Sequence, residues 1–192
     1  MYFHFQSDDS FFNKKLKTMR CTAVKANGQQ CKNHTTIGQD YCYVHRKSIL
    51  HLQIKKSNIT SAGKGLFASG GNGIIFKKGD RICMYNGQLI DKEELLRRYH
   101  DDTAPYAIQL HKKNGKNQYE DGALERGIGS LANHSKIKSK INARLSISYN
   151  NRAQLIASKI IRSGQEILVN YGSDYRFDED VCTSTNNSKL LC

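Results

Sequence analysis

Four residues in the first quarter of the chain have the types and spacing of a metal site. Cys21, Cys31, Cys42 and His45 follow the pattern C-x9-C-x10-C-x2-H. Zinc takes thiolate sulfur and imidazole nitrogen in a tetrahedron, so three cysteines and one histidine make a complete structural donor set. The closing Cys-x2-His forms one tight knuckle, and Gly28 and Gly38 allow turns that bring in the other two thiols. Residues 21–46 hold too few apolar side chains to fold by burial alone, and a bound metal would supply the missing free energy. Reduced cysteines without a metal are the plain alternative, and His34 is a competing ring in a poorer spacing. The lysines and arginines of this segment permit nucleic-acid contact, but no aromatic-basic interleaving marks a base reader. A structural or protein-contacting knuckle is an equal reading. Cys83 falls in an expected strand and reads as core, while Cys182 and Cys192 have no partner at a usable spacing.

A second polar cluster is Asn133-His134-Ser135, set between the apolar pair Leu131-Ala132 and a run of lysines. Three chemistries compete: a glycosylation sequon, a metal or catalytic histidine, and a packed polar knot that holds a ligand. No apolar run approaches the roughly 18–20 residues that span a bilayer. The opening stretch has aspartates where a signal peptide needs an uninterrupted apolar core. The expectation is an intracellular protein in a reducing compartment, not secreted and not membrane-bound, and the glycosylation reading falls with it. The net charge of +13 points to an anionic partner such as nucleic acid or chromatin, with a solvated surface as the alternative.

The elements that must position these residues are mostly short strands. Residues 47–60 alternate weakly and read as one or two strands. Residues 79–90 alternate around an Asn86-Gly87 turn, and 106–122 read as a hairpin turning at Asn114-Gly115. Residues 143–161 give two strands about a turn at 149–152, and 164–172 a final strand ending in Tyr171-Gly172. The best helix is 91–100, with Asp91 as N-cap, acids early and basic residues late. The expected class is mostly β with little helix.

Four segments gain meaning when taken together: a glycine turn before Leu66-Phe67-Ala68, then Gly79-Asp80-x-Ile82-x-x-Tyr85-x-Gly87, then Asn133-His134-Ser135, then Gly164-x-Glu166-Ile167-x-x-x-Tyr171-Gly172. In this order the chain resembles the SET-domain protein lysine methyltransferases, both the small viral enzymes and an animal enzyme with similar glycine-turn and Tyr-Asn-Gly segments. The resemblance covers residues 50–176 and implies small sheets around a threaded pseudoknot, in which the Asn-His-Ser strand passes under the loop carrying Tyr171. It implies S-adenosylmethionine as cofactor, held by Gly63, Lys64, Gly65 and Leu66 and by Asn133 and His134. His134 is then neither a catalytic base nor a zinc ligand. Tyr171 matches the active-site tyrosine, at once catalytic and cofactor-side, and Tyr106 a second channel tyrosine or else a strand-face aromatic. Tyr85 reads as structural. Tyr175 and Phe177 are in position to pack over the site.

The chain departs from the family after Ser135. Lys136 stands in place of a cysteine, the usual proline is missing, and the second asparagine, Asn142, comes three residues late. Val169 occupies a position often held by Phe or Tyr. No zinc cluster is expected after the SET segment. The expected organisation is a basic tail at 1–20, the zinc module at 21–46, the SET segment at 50–176 and a C-terminal tail at 177–192. The implied substrate is a protein lysine, on a histone tail or a non-histone chromatin or host protein, which places the chain in the nucleus or host nucleus and cytoplasm. Seven Lys/Arg and no acid between Lys136 and Arg162 suggest a grip on DNA or the nucleosome. Acids at Asp174, Asp178, Glu179 and Asp180 suggest a lip for a basic peptide. The alternative is a SET-like scaffold without catalysis, whose zinc module binds nucleic acid or chromatin.

Overall fold

Left-handed turns cut the chain into short strands: Asn86, Asn114 and Asn151 all have φ between 51° and 55°. Asparagine tolerates this region better than other side chains. The computed structural model describes residues 18–60, 62–100 and 104–172. In chain order the elements are β1 (Thr18–Arg20), β2 (His34–Thr36), α1 (Tyr43–Ile49), β3 (Leu52–Lys56), β4 (Lys64–Ala68), β5 (Ile74–Phe76), β6 (Arg81–Met84) and β7 (Gln88–Asp91). There follow α2 (Lys92–Tyr99), β8 (Ala107–Gln109), β9 (Gln118–Asp121), β10 (Asn133–His134), β11 (Ala143–Ile147), β12 (Ala153–Ala157), β13 (Ile161–Arg162) and β14 (Leu168–Val169). Short 3₁₀ turns occupy Ile128–Leu131 and Lys138–Lys140.

The strands form small sheets. β3 and β4 are an antiparallel hairpin, β5 pairs with β13, and β12 lies between β11 and β6. β9 lies between β7 and β8. β10 and β14 pair in parallel although 33 residues separate Asn133 from Glu166, which precedes β14. One core unites the hairpin, the β5–β13 pair, the β11–β12–β6 sheet and the β10–β14 pair: Leu52, Leu66, Leu155, Ile161 and Ile167 have no exposed surface, and they pack with Ile82, Cys83 and Val169, while Tyr85, Leu110 and Ala153 form a smaller cluster toward β8. Burial pushes the Cys83 thiol up to about 12, so it is an inert core group.

Two buried carboxylates on β9 join the sheets. Glu120 accepts from the Gly87 and Ala153 N–H groups and from Arg152, and Asp121 accepts from Arg98 and the Tyr99 hydroxyl. Arg98 also reaches Glu94 and Gln88, so it fastens α2 to its sheet.

The mostly β expectation holds, with two α-helices among the described residues rather than one. α1 runs through the expected boundary between the cysteine module and the following strands. It begins at Cys42 and buries none of its residues, so it carries no apolar stripe. The Asn114-Gly115 and 149–152 hairpins and the Asp91 cap are present; the Asp91 carboxylate accepts from the Glu94 N–H at 2.8 Å. The Asn86-Gly87 turn is also present, but β6 and β7 on its two sides join different sheets.

Candidate functional site

The glycine turn is built against a carboxylate. Gly63 has φ +68° and open space beside it, a backbone state that glycine adopts without strain. Gly65 is different: a Cβ there would run into the Glu166 carboxylate and the Asn133 amide. Glu166 is 5% exposed, and it accepts from the Ser57 hydroxyl at 2.6 Å, the Asn58 N–H at 2.8 Å and the Asn133 amide at 3.1 Å. The same Asn133 nitrogen donates to the Lys64 carbonyl, so the Asn133 amide oxygen is left to accept. Glycine turn and Asn-His strand are thus one construction. Leu66, between them in sequence, is core: its side chain is fully buried and its carbonyl accepts from the Ile167 N–H.

The final strand passes between the two ends of the 135–142 loop. Alternate residues of a strand present their N–H and C=O to opposite edges. The Val169 carbonyl accepts from the Ser135 N–H on one edge. On the other edge, Leu168 accepts from the Asn142 N–H and donates to the Asn142 side-chain oxygen at 2.9 Å, while that amide donates to the Glu166 carbonyl at 2.8 Å. A threading is therefore present with the expected roles exchanged: the last strand, not the Asn-His-Ser strand, is the one enclosed. The 3₁₀ turn at Lys138–Lys140 absorbs the extra residues and returns Asn142 to the strand.

Tyr171 joins this knot to a cavity. Its N–H donates to His134 Nδ1 at 3.1 Å and its hydroxyl donates to the Ala132 carbonyl at 2.9 Å. Burial, and then the charge of Lys136, lowers the pKa of His134. A neutral ring that accepts at Nδ1 carries its proton on Nε2. Beside Tyr171 lies a cavity of about 340 Å³, walled by Leu145, Leu155, Val169 and Tyr85. Burial first, and the nearby Tyr171 phenol next, raise Tyr85 well above the ordinary range, so its hydroxyl stays protonated and donates to the Tyr106 carbonyl. Pro105 and Ala107 line the cavity, while the Tyr106 ring itself lies 4.6 Å under the Arg126 guanidinium. Tyr175, Phe177 and the acids from Asp174 to Asp180 lie outside the described residues.

The four residues of the cysteine pattern converge. The ligand atoms of Cys21, Cys31, Cys42 and His45 all lie within 4.8 Å of one another. His45 Nδ1 is 3.5 Å from Cys21 Sγ and 3.4 Å from Cys42 Sγ, and Cys31 and Cys42 sulfurs are 4.0 Å apart. These spacings suit the edges of a tetrahedron with metal–sulfur bonds of about 2.3 Å. Burial alone would raise the Cys42 thiol, but the His45 N–H, the Asn33 amide and the His45 ring bring it to about 6. The Asn33 and Cys42 N–H groups point at Cys31 and Cys21 sulfurs, as donors to thiolates do. The donor set therefore fits a metal ion. His34 lies on β2, outside the cluster. The module rests on the rest of the chain through Gln39, which donates to the Arg126 carbonyl at 3.0 Å, and through Gly38, where a Cβ would come 2.9 Å from the Asn86 carbonyl.

Residues 63–172 match the SET domain family model, a span that opens at the glycine turn and closes just after Tyr171. The chain belongs to the SET-domain family. The variant-silencing SET domain-containing protein of Plasmodium falciparum is 29% identical over 177 residues, covering 85% of this chain and 7% of that protein. The histone-lysine N-methyltransferase EZH2 of Chaetomium thermophilum is 25% identical over 128 residues, 62% of this chain and 8% of its own. The N-lysine methyltransferase KMT5A-A of Xenopus laevis is 31% identical over 124 residues, 62% of this chain and 36% of its own. This chain thus spans well under two thirds of each relative. All three come from cellular organisms, so the expected viral likeness draws no support from them. Among solved structures, an active polycomb repressive complex 2 in the basal state superposes with a TM-score of 0.53 at 26% identity, over 77% of this chain and 18% of that one. The ctPRC2 complex in an autoinhibited conformation bound to S-adenosylmethionine gives 0.51 at 24%, over 71% and 17%, a likeness of fold.

This SET domain brings together Gly63, Lys64, Gly65, Asn133, His134 and Tyr171 and places Tyr106 behind the cavity wall. Sequence reasoning quoted Glu166 and Asn142 within the family's motifs but gave neither a part in the site, and it left Ser57 unread. The signal for Glu166 was an acid directly before the apolar run Ile167-Leu168-Val169. Among the described residues no helix is long and apolar enough to cross a membrane.

Proposed function

We propose that this SET domain is an S-adenosylmethionine-dependent protein-lysine N-methyltransferase. The observation that carries the reading is Tyr171, which belongs at once to the cavity wall and to the strand system of Asn133 and His134. Two relatives named as lysine methyltransferases support it.

S-adenosylmethionine, when bound, supplies a methyl group on a sulfonium that is already activated. The task left to the protein is orientation. The open turn at Gly63–Gly65 and the Asn133 amide oxygen would hold the methionine end, with His134 contributing main chain. The Tyr171 proton is committed to Ala132, so its oxygen faces an entering amine as an acceptor and fixes the direction of the nitrogen lone pair. Free lysine, with a pKa of about 10.4, is mostly protonated at neutral pH. The apolar walls Leu145, Leu155 and Val169 disfavour the ammonium form and accommodate the aliphatic stem. Tyr106 contributes through its carbonyl, which holds Tyr85 in the wall. Zinc, in the Cys21, Cys31, Cys42 and His45 cluster, has a structural role. The substrate is a lysine of a histone tail or of another chromatin or host protein, and the site of action is the nucleus.

The test is incubation of the purified chain with methyl-labelled S-adenosylmethionine, nucleosomes, free histones and cell lysate, beside Tyr171→Phe. Label on one protein that disappears in the variant is the expected result. No label together with no cofactor binding would overturn it and leave a scaffold without catalysis.

A further inference from the structure

The positive strip between residues 136 and 162 is divided by the fold. Arg152 is consumed by Glu120, and Arg162 sits on β13 in another sheet. The remaining cations join others from distant parts of the chain. On the three-stranded sheet, Arg144 stands opposite Ile156, and Ile156 opposite Arg81. A bulge between Leu155 and Ile156 skips Ile82 on β6, and the two arginines that flank Ile156 are both exposed. The intervening row, Leu145 and Leu155, points the other way and lines the cavity.

At one end of this sheet three loops meet. The Gly79 N–H donates to the Ala157 carbonyl and the Ala157 N–H to the Asp80 carbonyl, which seats the Lys77-Lys78 turn beside β12. The Ser158 and Lys159 N–H groups both donate to the Asn142 carbonyl, and Lys159 Nζ reaches the Ser139 carbonyl at 2.7 Å. That brings Lys138, Lys140 and Lys159 together. Lys77, Lys78, Arg81, Lys138, Lys140, Arg144 and Lys159 are exposed, and among the described residues none of these seven forms an ion pair. The one acid in these segments, Asp80, spends its carboxylate on the Lys77 N–H.

We infer that this face, behind the active-site sheet, is a docking surface for the phosphate backbone of duplex DNA. The charge is concentrated where phosphates would be neutralised, and segments 77–81, 136–144 and 156–159 contain no aromatic residue. Single strands are held by aromatic stacking, which these segments cannot supply. Contacts to phosphate alone give binding without sequence preference. Because the cavity opens from the other face of the sheet, DNA and a protein lysine can be held at the same time. Only that last consequence rests on the methyltransferase reading.

The test is fluorescence anisotropy of a short labelled duplex DNA with the full chain, across about 50–200 mM salt. Micromolar binding is expected, with an affinity that falls steeply with salt. Lys138→Gln/Lys140→Gln/Lys159→Gln should weaken it at least about tenfold and lower the log–log salt slope by about 0.9 for each cation removed. Lys112→Gln/Lys113→Gln/Lys116→Gln, on the β8–β9 hairpin, removes the same charge elsewhere and should change affinity less than about twofold. Equal losses in both variants, no DNA binding, or tighter binding to polyglutamate, single strands or duplex RNA would each overturn the proposal. DNA binding by a chain that neither transfers a methyl group nor binds the cofactor leaves this surface standing and removes the other reading. Methyl transfer without DNA binding does the reverse.

Discussion

Glu166 lies so close over Gly65 that no side chain fits between them. Gly63, two residues earlier, faces open space, and its requirement is one of backbone shape alone. Gly65→Ala should displace Glu166 and with it the groups of Ser57, Asn58 and Asn133 that it receives. The expected outcome is loss of cofactor affinity by more than about tenfold and a stability loss of about 2 kcal/mol. Gly63→Asn, which tolerates positive φ, should cost less than about 1 kcal/mol. Calorimetric titration with the cofactor and thermal melts of both variants check the contrast; equal effects would refute it.

Asn142 grips the last strand with main chain and side chain together. Asn142→Ala removes a donor to the Glu166 carbonyl and an acceptor for the Leu168 N–H in a partly buried setting. A loss of about 2 kcal/mol follows from two backbone groups left unpaired. Denaturant melts measure it, and Asn142→Asp, which keeps the acceptor, should recover part of the loss.

The cysteine cluster should retain about one zinc ion per chain through purification. Chelation or Cys42→Ser should unfold residues 21–46, whose structure depends on the metal. The effect should travel through Gln39 and Gly38 to Arg126 and Gly127, beside Gly129 and Ser130 of the cavity wall. Hydrogen exchange at 126–130 should rise while β11 and β12 stay protected. Unchanged exchange at 126–130 would show that the module is only tethered.

Acid should loosen the Tyr171–His134 contact. His134 has a lowered pKa in the folded chain, from burial first and then from Lys136, so folding favours its neutral form. Its contribution to stability is present above the unfolded value of about 6.5 and is lost as pH falls through the lower folded value. An NMR titration of the His134 ring should show a midpoint below that of free histidine. His134→Asn should remove this part of the pH dependence.

What the sequence disclosed followed the distance between partners. The four residues of the Cys/His cluster fall within 25 residues, and the Asn114-Gly115 hairpin is a local matter of turn chemistry, so both were legible. Glu166 stood in a recognisable motif, but its partners were not legible, because Ser57 and Asn58 lie 109 and 108 residues away from it. α1 escaped because it buries nothing, and a helix without an apolar stripe has no period to detect. The Asn86-Gly87 turn was read correctly while the sheet change across it was not, since alternation fixes a strand's faces but not its neighbours. Tyr106 illustrates the same limit: its aromatic character was plain, and the Arg126 guanidinium over its ring was not.

The enclosed last strand also imposes an order in time. A ribosome releases the glycine turn, β10 and Asn142 before Glu166 exists, and until then the Asn133 amide has the Lys64 carbonyl but no carboxylate to meet. Such long-range parallel pairing is slow, because loop closure precedes any reward. The Glu166 contacts around Gly65 and Asn133 can form only once residues 166–171 enter the 135–142 loop. A nascent or truncated chain ending before that point would already contain most of the sheets and yet lack that closure.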